Sequence, residues 1–121
     1  MEKKHFVICN VMCNVMETQL FTFFIICDCR DPSLFHVEAT AMSNYRLRYS
    51  AMKSTFKRWA RSDIDEPLVE RDYFEIFKTG YETYYRVEKV YCTKKVAAER
   101  KCIIEENYKI KFCALACWGH R

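Results

Sequence analysis

Apolar and polar residues alternate with a period of two near the end of the chain. Over residues 108–118, the apolar positions of this pattern are Tyr108, Ile110, Phe112, Ala114, Ala116 and Trp118. Such alternation is typical of a strand with one face on a hydrophobic core. Strand-forming residues at 85–91 predict a second strand before Cys92, and residues 102–104 predict a third. The last third of the chain is therefore predicted to be an antiparallel meander.

A stripe of large apolar residues at alternating steps of three and four predicts a long amphipathic helix. The stripe consists of Met42, Tyr45, Tyr49, Met52, Phe56 and Trp59. We place the helix at residues 33–61, because Asp31 followed by Pro32 is a typical helix start. The basic residues around its other side are Arg46, Arg48, Lys53, Lys57 and Arg58. They predict either a simply solvated face or a surface for anionic membranes or an acidic partner.

The first thirty residues contain two apolar runs, 6–16 and 20–27. Two lysines before the first run resemble the start of a signal peptide, which would make the protein secreted. The same runs also fit a buried strand or helix of the core. A membrane anchor is disfavoured, because neither run reaches the roughly 20 apolar residues that a bilayer requires. We therefore divide the chain into a signal-like or apolar segment, residues 1–30, and a single domain, residues 31–121.

An acidic connector, residues 62–72, separates the predicted helix from the meander. Pro67 disfavours helical backbone at the residue before it, so the helix should end earlier. Residues 72–79 are compatible with a short strand or a helical turn. Gly80 is the residue best suited to a sharp bend.

Composition and charge exclude several classes of function. The chain has 121 residues and a formal net charge of +4, which is too small to predict a nucleic-acid partner by itself. Residues 84–86, two tyrosines and an arginine, fit a stacking platform for single-stranded nucleic acid, although tyrosines on a half-buried strand more often belong to the core. The chain contains neither a P-loop nor a glycine-rich dinucleotide motif, and its three histidines are far apart. We expect neither an enzyme nor a cofactor, and we expect no nucleic-acid partner.

Eight cysteines, an even number, favour an oxidised, secreted protein over a metal-binding one. Cys92 and Cys102 lie on the two sides of the predicted hairpin, so we expect a disulfide that stabilises the fold by roughly 2–3 kcal/mol. Cys113, Cys117 and His120 would share a face only on a helix. On the predicted strand, residues four apart are separated by roughly 13 Å, which is too far for one zinc ion.

Two segments of the predicted meander resemble the cystatin superfamily. YRVEKVYC at residues 85–92 and CIIEENYKIKFC at residues 102–113 are most similar to the cathelin-like branch, the pro-domains of cathelicidins. The resemblance covers only about residues 80–118. It implies an α+β fold in which one long helix packs on an antiparallel meander. It also implies inhibition of papain-type cysteine proteases, with Gly80 and Trp118 at the two hairpins that enter the protease cleft.

The chain departs from the inhibitory signature of that family. Where the first hairpin would carry Gln-x-Val-x-Gly, this chain has Ile76 and Lys78 ahead of Gly80, and Trp118 follows Cys117 instead of proline. We therefore expect a secreted, non-catalytic cystatin-like protein that inhibits weakly at best. Two alternatives stay open: a cathelin-like antimicrobial protein acting on membranes through its basic helix, and a small intracellular zinc or nucleic-acid module. Cys113 or an exposed edge strand would provide a dimer contact.

Overall fold

A computed structural model describes residues 17–61 and 71–119, with side chains as far as Lys111. Its elements in chain order are β1 (Gln19–Asp28), β2 (Phe35–Thr40), α1 (Tyr45–Arg61), α2 (Tyr73–Thr79), β3 (Glu82–Cys92) and α3 (Lys94–Gly119). The α+β class is confirmed. The single long helix is not, because the described residues contain three helices.

The described strands form one antiparallel sheet in the order β2-β1-β3. β1 is the central strand and pairs along its length with β3, from Gln19 opposite Cys92 to Asp28 opposite Glu82. The apolar run at residues 20–27 is thus a core strand, one of the interpretations that the sequence left open. Since both neighbouring strands pair with β1, the folded domain includes residues that precede residue 31.

Each face of β1 is covered by helices, which explains why its sequence is almost continuously apolar. Phe21, Phe23 and Ile25 face α3, while Phe24 and Ile26 face α1 and α2. The two phenylalanines at the centre, Phe23 and Phe24, are both fully buried. Burial of each large apolar side chain contributes on the order of 2–3 kcal/mol to folding.

The predicted helix at residues 33–61 is correct only in its second half. Asp31 accepts a hydrogen bond from the Leu34 amide at 3.0 Å, so this segment forms a turn that leads into β2. The helix begins at Tyr45, after Asn44, whose side chain accepts a hydrogen bond from the Arg46 amide at 3.0 Å. This contact is a typical N-cap.

The predicted apolar stripe of α1 does pack on the fold from Tyr45 onward. Tyr49 and Met52 are buried, and Tyr45, Phe56 and Trp59 lie against the same cluster. The pKa of Tyr49 is raised to about 12, chiefly because burial disfavours the phenolate. The stripe is therefore part of the core between α1, α2 and the sheet.

Residues 72–79, predicted as a strand or a helical turn, contain the short helix α2. Its four buried residues, Tyr73, Phe74, Ile76 and Phe77, complete the core on the α1 side. Gly80 ends the helix with φ 76°, a left-handed conformation that favours glycine, and its amide donates to the Phe77 carbonyl at 3.2 Å. The predicted bend at Gly80 is confirmed.

The predicted strands at residues 102–104 and 108–118 are wrong, because α3 runs through both segments. Thr93 precedes the helix, and its hydroxyl accepts a hydrogen bond from the Val96 amide at 3.2 Å. Ala97, Ile104 and Tyr108 then recur at helical spacing and pack on the sheet. The strand predicted before Cys92 is confirmed as β3.

Several predictions fall on residues 1–16 and 62–70, which lie outside the described residues. They include the signal-like start of the chain and the acidic connector around Pro67. Among the described residues, no helix combines the length and the apolar character needed to cross a bilayer.

Candidate functional site

A polar groove of about 440 Å³ lies between the start of α1 and the middle of β3. Its lining residues, which define the basic groove, are Ser43, Asn44, Tyr45, Arg46, Arg86 and Lys89. Three of the six are cations and none is acidic. Arg46, Arg86 and Lys89 form no ion pair with any residue that the structure describes. The groove therefore presents positive charge that the described protein does not neutralise.

An irregularity in the sheet brings Arg86 and Lys89 to the same face. Residues three apart on a regular strand point to opposite faces. The pairing of β3 with β1 shifts between Phe24, which lies opposite Arg86, and Phe23, which lies opposite Glu88. This bulge makes Val87 an extra residue, so Lys89 lies opposite Thr22 and shares the face of Arg86.

The remaining basic residues of α1 extend the charge away from the groove. The helix carries six arginines and lysines over 17 residues and no acidic residue. Arg46, Lys57, Arg58 and Arg61 are exposed to solvent. These four residues, called the outer face of α1, continue from the basic groove along the helix.

Two of the five predicted surface residues are instead part of the structural framework. Arg48 donates to Glu38 on β2 at 2.8 Å, and Lys53 forms an ion pair of 2.7 Å with Glu82 on β3. Both contacts join α1 to an edge strand. The predicted surface therefore divides into Arg46, Lys57 and Arg58, which are exposed, and the two residues that are paired.

A network of ionisable groups around Glu38 lies on the same face of the sheet as the basic groove. His36 Nε2 lies 3.1 Å from Glu38 Oε1, and His36 Nδ1 lies 3.4 Å from Asp72 Oδ2. Burial by itself raises the pKa of Glu38. The hydrogen bonds from His36 and Arg48 outweigh burial and lower the pKa below its ordinary value. Glu38 is therefore a carboxylate that holds Arg48 in place.

The predicted Cys92–Cys102 disulfide is absent. Cys27, Cys29, Cys92 and Cys102 are free thiols. Cys92 ends β3, and the chain then follows α3 from Lys94, which separates residues 94 and 102 by about 12 Å at 1.5 Å per residue. Bridged cysteines need Cα atoms less than about 7 Å apart.

A metal site is not found where the structure can be described. No group of three or more histidine, cysteine or acidic side chains among the described residues could hold a metal ion. Cys113 and Cys117 lie in the helical backbone of α3, but their side chains and His120 lie outside the described part.

The two residues predicted to enter a protease cleft are not at the tips of hairpins. Gly80 joins α2 to β3, and Trp118 belongs to the last turn of α3. The predicted stacking platform is also divided, since Tyr84 stacks on Tyr49 in the core, with ring centroids 3.8 Å apart. Only Arg86 of that set lines the basic groove.

The sequence did not reveal the groove as a site. Arg86 was noted there beside two tyrosines, but Lys89 and the turn before α1 were not. The basic residues of the predicted helix do indicate an anion-binding surface that includes Arg46, but not its extension onto β3. The bulge that aligns the two β3 cations has no signature in the residue pattern.

The chain matches no protein-family model, no curated protein and no solved structure.

Proposed function

We propose that the protein binds nucleic acid, and that the basic groove and the outer face of α1 contact its phosphate backbone. One observation carries the proposal: Arg46, Arg86 and Lys89, from two different elements, line one groove with no acidic residue. Arginine and lysine side chains grouped in this way bind phosphate oxygens through charge-assisted hydrogen bonds.

The dimensions of α1 suit a polymer of phosphates better than a single anion. Arg46 and Arg61 are separated by about 22 Å along the helix, from 1.5 Å per residue. At 3.4 Å per step, this length corresponds to about six nucleotides of one strand. The groove lies at one end of this line, so several phosphates would be contacted together.

The apolar side of α1 argues against an anionic membrane as the partner. An interfacial helix inserts an apolar face into the lipid. In this protein, that face is in the core, with Met52 buried and Phe56 against α2. The surface left on α1 is basic and polar, with Leu47 as its exposed large apolar residue. Such a surface matches phosphates better than lipid chains.

The net charge of +4, which by itself did not predict nucleic acid, is less informative than the distribution of charge. Protease inhibition stays a prediction of the cystatin resemblance. The strand at residues 108–118 and the Cys92–Cys102 disulfide, which were predicted from the sequence pattern and agreed with this resemblance, are both wrong. We therefore do not base the proposed function on the resemblance.

Fluorescence anisotropy with a labelled 20-base-pair duplex and the matching single strand tests the proposal. The variant R86Q/K89Q removes two groove charges, and K95Q/K109Q removes two charges from exposed positions on α3, across the sheet. At about 100 mM salt, we expect the groove variant to lose affinity tenfold or more and the α3 variant to change little. The slope of log K against log salt should fall by roughly 2 for the groove variant.

Equal losses in the two variants would show that only net charge matters, which would contradict the proposed site. Vesicles with and without anionic lipid provide the second arm of the test. Binding to anionic vesicles without binding to either nucleic acid would replace our proposal with the membrane interpretation. A third variant, K57Q/R61Q, tests whether the contact extends along the outer face of α1.

A further inference from the structure

A second cavity lies on the opposite face of the sheet, between β3 and α3. Its volume is about 300 Å³, the lower end of the range for ligand sites. We call it the α3 cavity. The residues that define it are Ile25, Tyr85, Ile103, Ile104, Tyr108 and Lys111. It shares no lining residue with the basic groove.

The wall of the α3 cavity is mostly apolar, yet part of it is open to solvent. Ile25 and Ile104 are buried beneath it. Ile103 and Val87, which also line it, are 53% and 41% exposed. A ligand with an apolar body would cover both side chains, and the gain would be about 25 cal/mol for each Å² removed from water.

Two hydroxyl groups occupy a defined position in the cavity. The Tyr108 hydroxyl lies within hydrogen-bonding reach of both the Tyr85 hydroxyl and the buried Cys27 thiol. Burial raises the pKa of Tyr108 and of Tyr85 above the ordinary value. Both phenols are protonated at neutral pH. Because Tyr108 donates its one hydroxyl hydrogen within this cluster, the Tyr85 hydroxyl is the group that can donate to an acceptor on a ligand.

The charges at the cavity favour an anion over a cation. Glu88 is the acidic residue in the lining, and its carboxylate accepts three hydrogen bonds from Arg100, one at 2.7 Å and two at 2.9 Å. Lys111 adds a positive charge that forms no ion pair with a described residue. The cavity thus combines an apolar wall, one available phenolic donor and one ammonium group that no described carboxylate neutralises.

We propose that the α3 cavity binds a small aromatic carboxylate, with the ring against the isoleucines and the carboxylate near Lys111 and the Tyr85 hydroxyl. A cationic or purely polar ligand would leave either the ammonium group or the apolar wall without a complementary partner. The volume restricts the ligand to a small molecule. This site is independent of the nucleic-acid surface and would be retained if the proposed function fails.

Titration calorimetry of the full chain with 2-naphthoate tests this site, and uncharged 2-naphthamide is the matched ligand. We expect saturable 1:1 binding of naphthoate and weaker binding of the amide. K111Q should lower the affinity for naphthoate roughly fivefold, the effect of about 1 kcal/mol, and leave the amide unchanged. Amide NMR shifts should concentrate at Tyr85, Ile103 and Ile104.

A pair of tryptophan substitutions on α3 provides the steric test. I103W places a large ring in the cavity, while I110W makes the same change at a residue that is 66% exposed and outside the lining. We expect I103W to abolish naphthoate binding and I110W to retain it, with both variants melting cooperatively. Absence of saturable binding at millimolar naphthoate, or equal affinity of I103W and the unmodified protein, would overturn the proposal. The charge test with K111Q does not depend on whether I103W folds.

Discussion

Arg100 on α3 holds the carboxylate of Glu88 on β3 with three hydrogen bonds. Glu88 Oε1 accepts from Nε at 2.9 Å and from Nη2 at 2.7 Å, and Glu88 Oε2 accepts from Nη2 at 2.9 Å. Among the described residues, this is the ion pair that joins α3 to the sheet. The side chains are 38% and 29% exposed, so solvent weakens the pair.

Arg100→Lys should therefore destabilise the protein by about 1 kcal/mol, because lysine keeps the charge but not the two parallel donors. A double-mutant cycle with Glu88→Gln, measured by urea unfolding, gives the coupling energy. The control cycle uses Glu106 and Lys109, an exposed pair at 3.6 Å, whose coupling should be close to zero. Equal couplings in the two cycles would show that α3 is not held to β3 as described.

Phe23 and Phe24 at the centre of β1 test whether helices cover both faces of the sheet. Each is fully buried, on opposite faces, so Phe23→Ala and Phe24→Ala should each cost about 3–5 kcal/mol of unfolding free energy. Leu20→Ala on the same strand, at a residue that is 47% exposed, should cost less than about 1 kcal/mol. If either phenylalanine behaves like Leu20, then its face of the sheet is not packed.

Glu38 should make the stability of the protein depend on acid pH. Its pKa is lower in the folded protein than its ordinary value near 4.5, so the unfolded chain takes up the proton first as the pH falls. The stabilisation is thus present above about pH 4.5 and is lost as the pH falls through the folded pKa. Glu38→Gln should cost about 1–2 kcal/mol at pH 7, and this difference should shrink below about pH 4.

Urea unfolding of both proteins between pH 3 and pH 7 measures this effect. Glu75→Gln is the control, because Glu75 pairs with Lys78 on the exposed side of α2. The same pH dependence in the control, or a constant cost of the Glu38 substitution across the range, would rule out the network as its cause.

The free thiols should differ in reactivity according to their burial. Cys29 and Cys102 are exposed, whereas Cys27 and Cys92 are buried, and burial raises the pKa of Cys27 despite its hydrogen bond with Tyr108. Iodoacetamide should modify the exposed pair in the folded protein and the buried pair slower by on the order of a hundredfold, because reaction requires opening of the fold. Peptide mapping by mass spectrometry assigns each position, and a Cys92–Cys102 crosslink in the same map would contradict the structure.

The sequence predicted correctly those elements whose residue pattern fits only one type of secondary structure. The residues before Cys92 favoured a strand, the stripe from Tyr45 favoured a helix, and Gly80 favoured a bend. In each case, the local preference agrees with the packing that the structure shows. The first half of the predicted helix at residues 33–61 is instead the strand β2, because pairing with β1 stabilises it there. This pairing joins residues that are distant in the chain, so a local residue pattern does not reveal it.

The segment at residues 108–118 is helical although its pattern predicts a strand, because both the period of a strand and the period of a helix fit its apolar residues. Alternate residues are apolar, but Ala97, Ile104 and Tyr108 also recur at helical spacing. The earlier residues of α3 are strong helix formers, and Thr93 supplies a cap. A helix that has already begun continues at little cost, since each added residue gains a hydrogen bond. The predicted meander and the predicted disulfide both followed from reading residues 102–104 and 108–118 as strands.

The candidate sites were harder to predict than the fold. The basic groove depends on the bulge around Val87, which is a property of strand pairing. The α3 cavity depends on the position of α3, which the sequence pattern predicted as strands. Both sites combine residues far apart in the chain, so neither leaves a short motif in the sequence.

The position of β1 at the centre of the sheet has a consequence during synthesis of the chain. β1 meets β2 soon after both are made, but it pairs fully with β3 only when about fifty further residues have been added. Until then, an apolar strand has one unpaired edge and one bare face, which are features that promote aggregation. We therefore expect protection of the nascent protein, by a chaperone or by the ribosome, to matter until α3 has been made and covers this face.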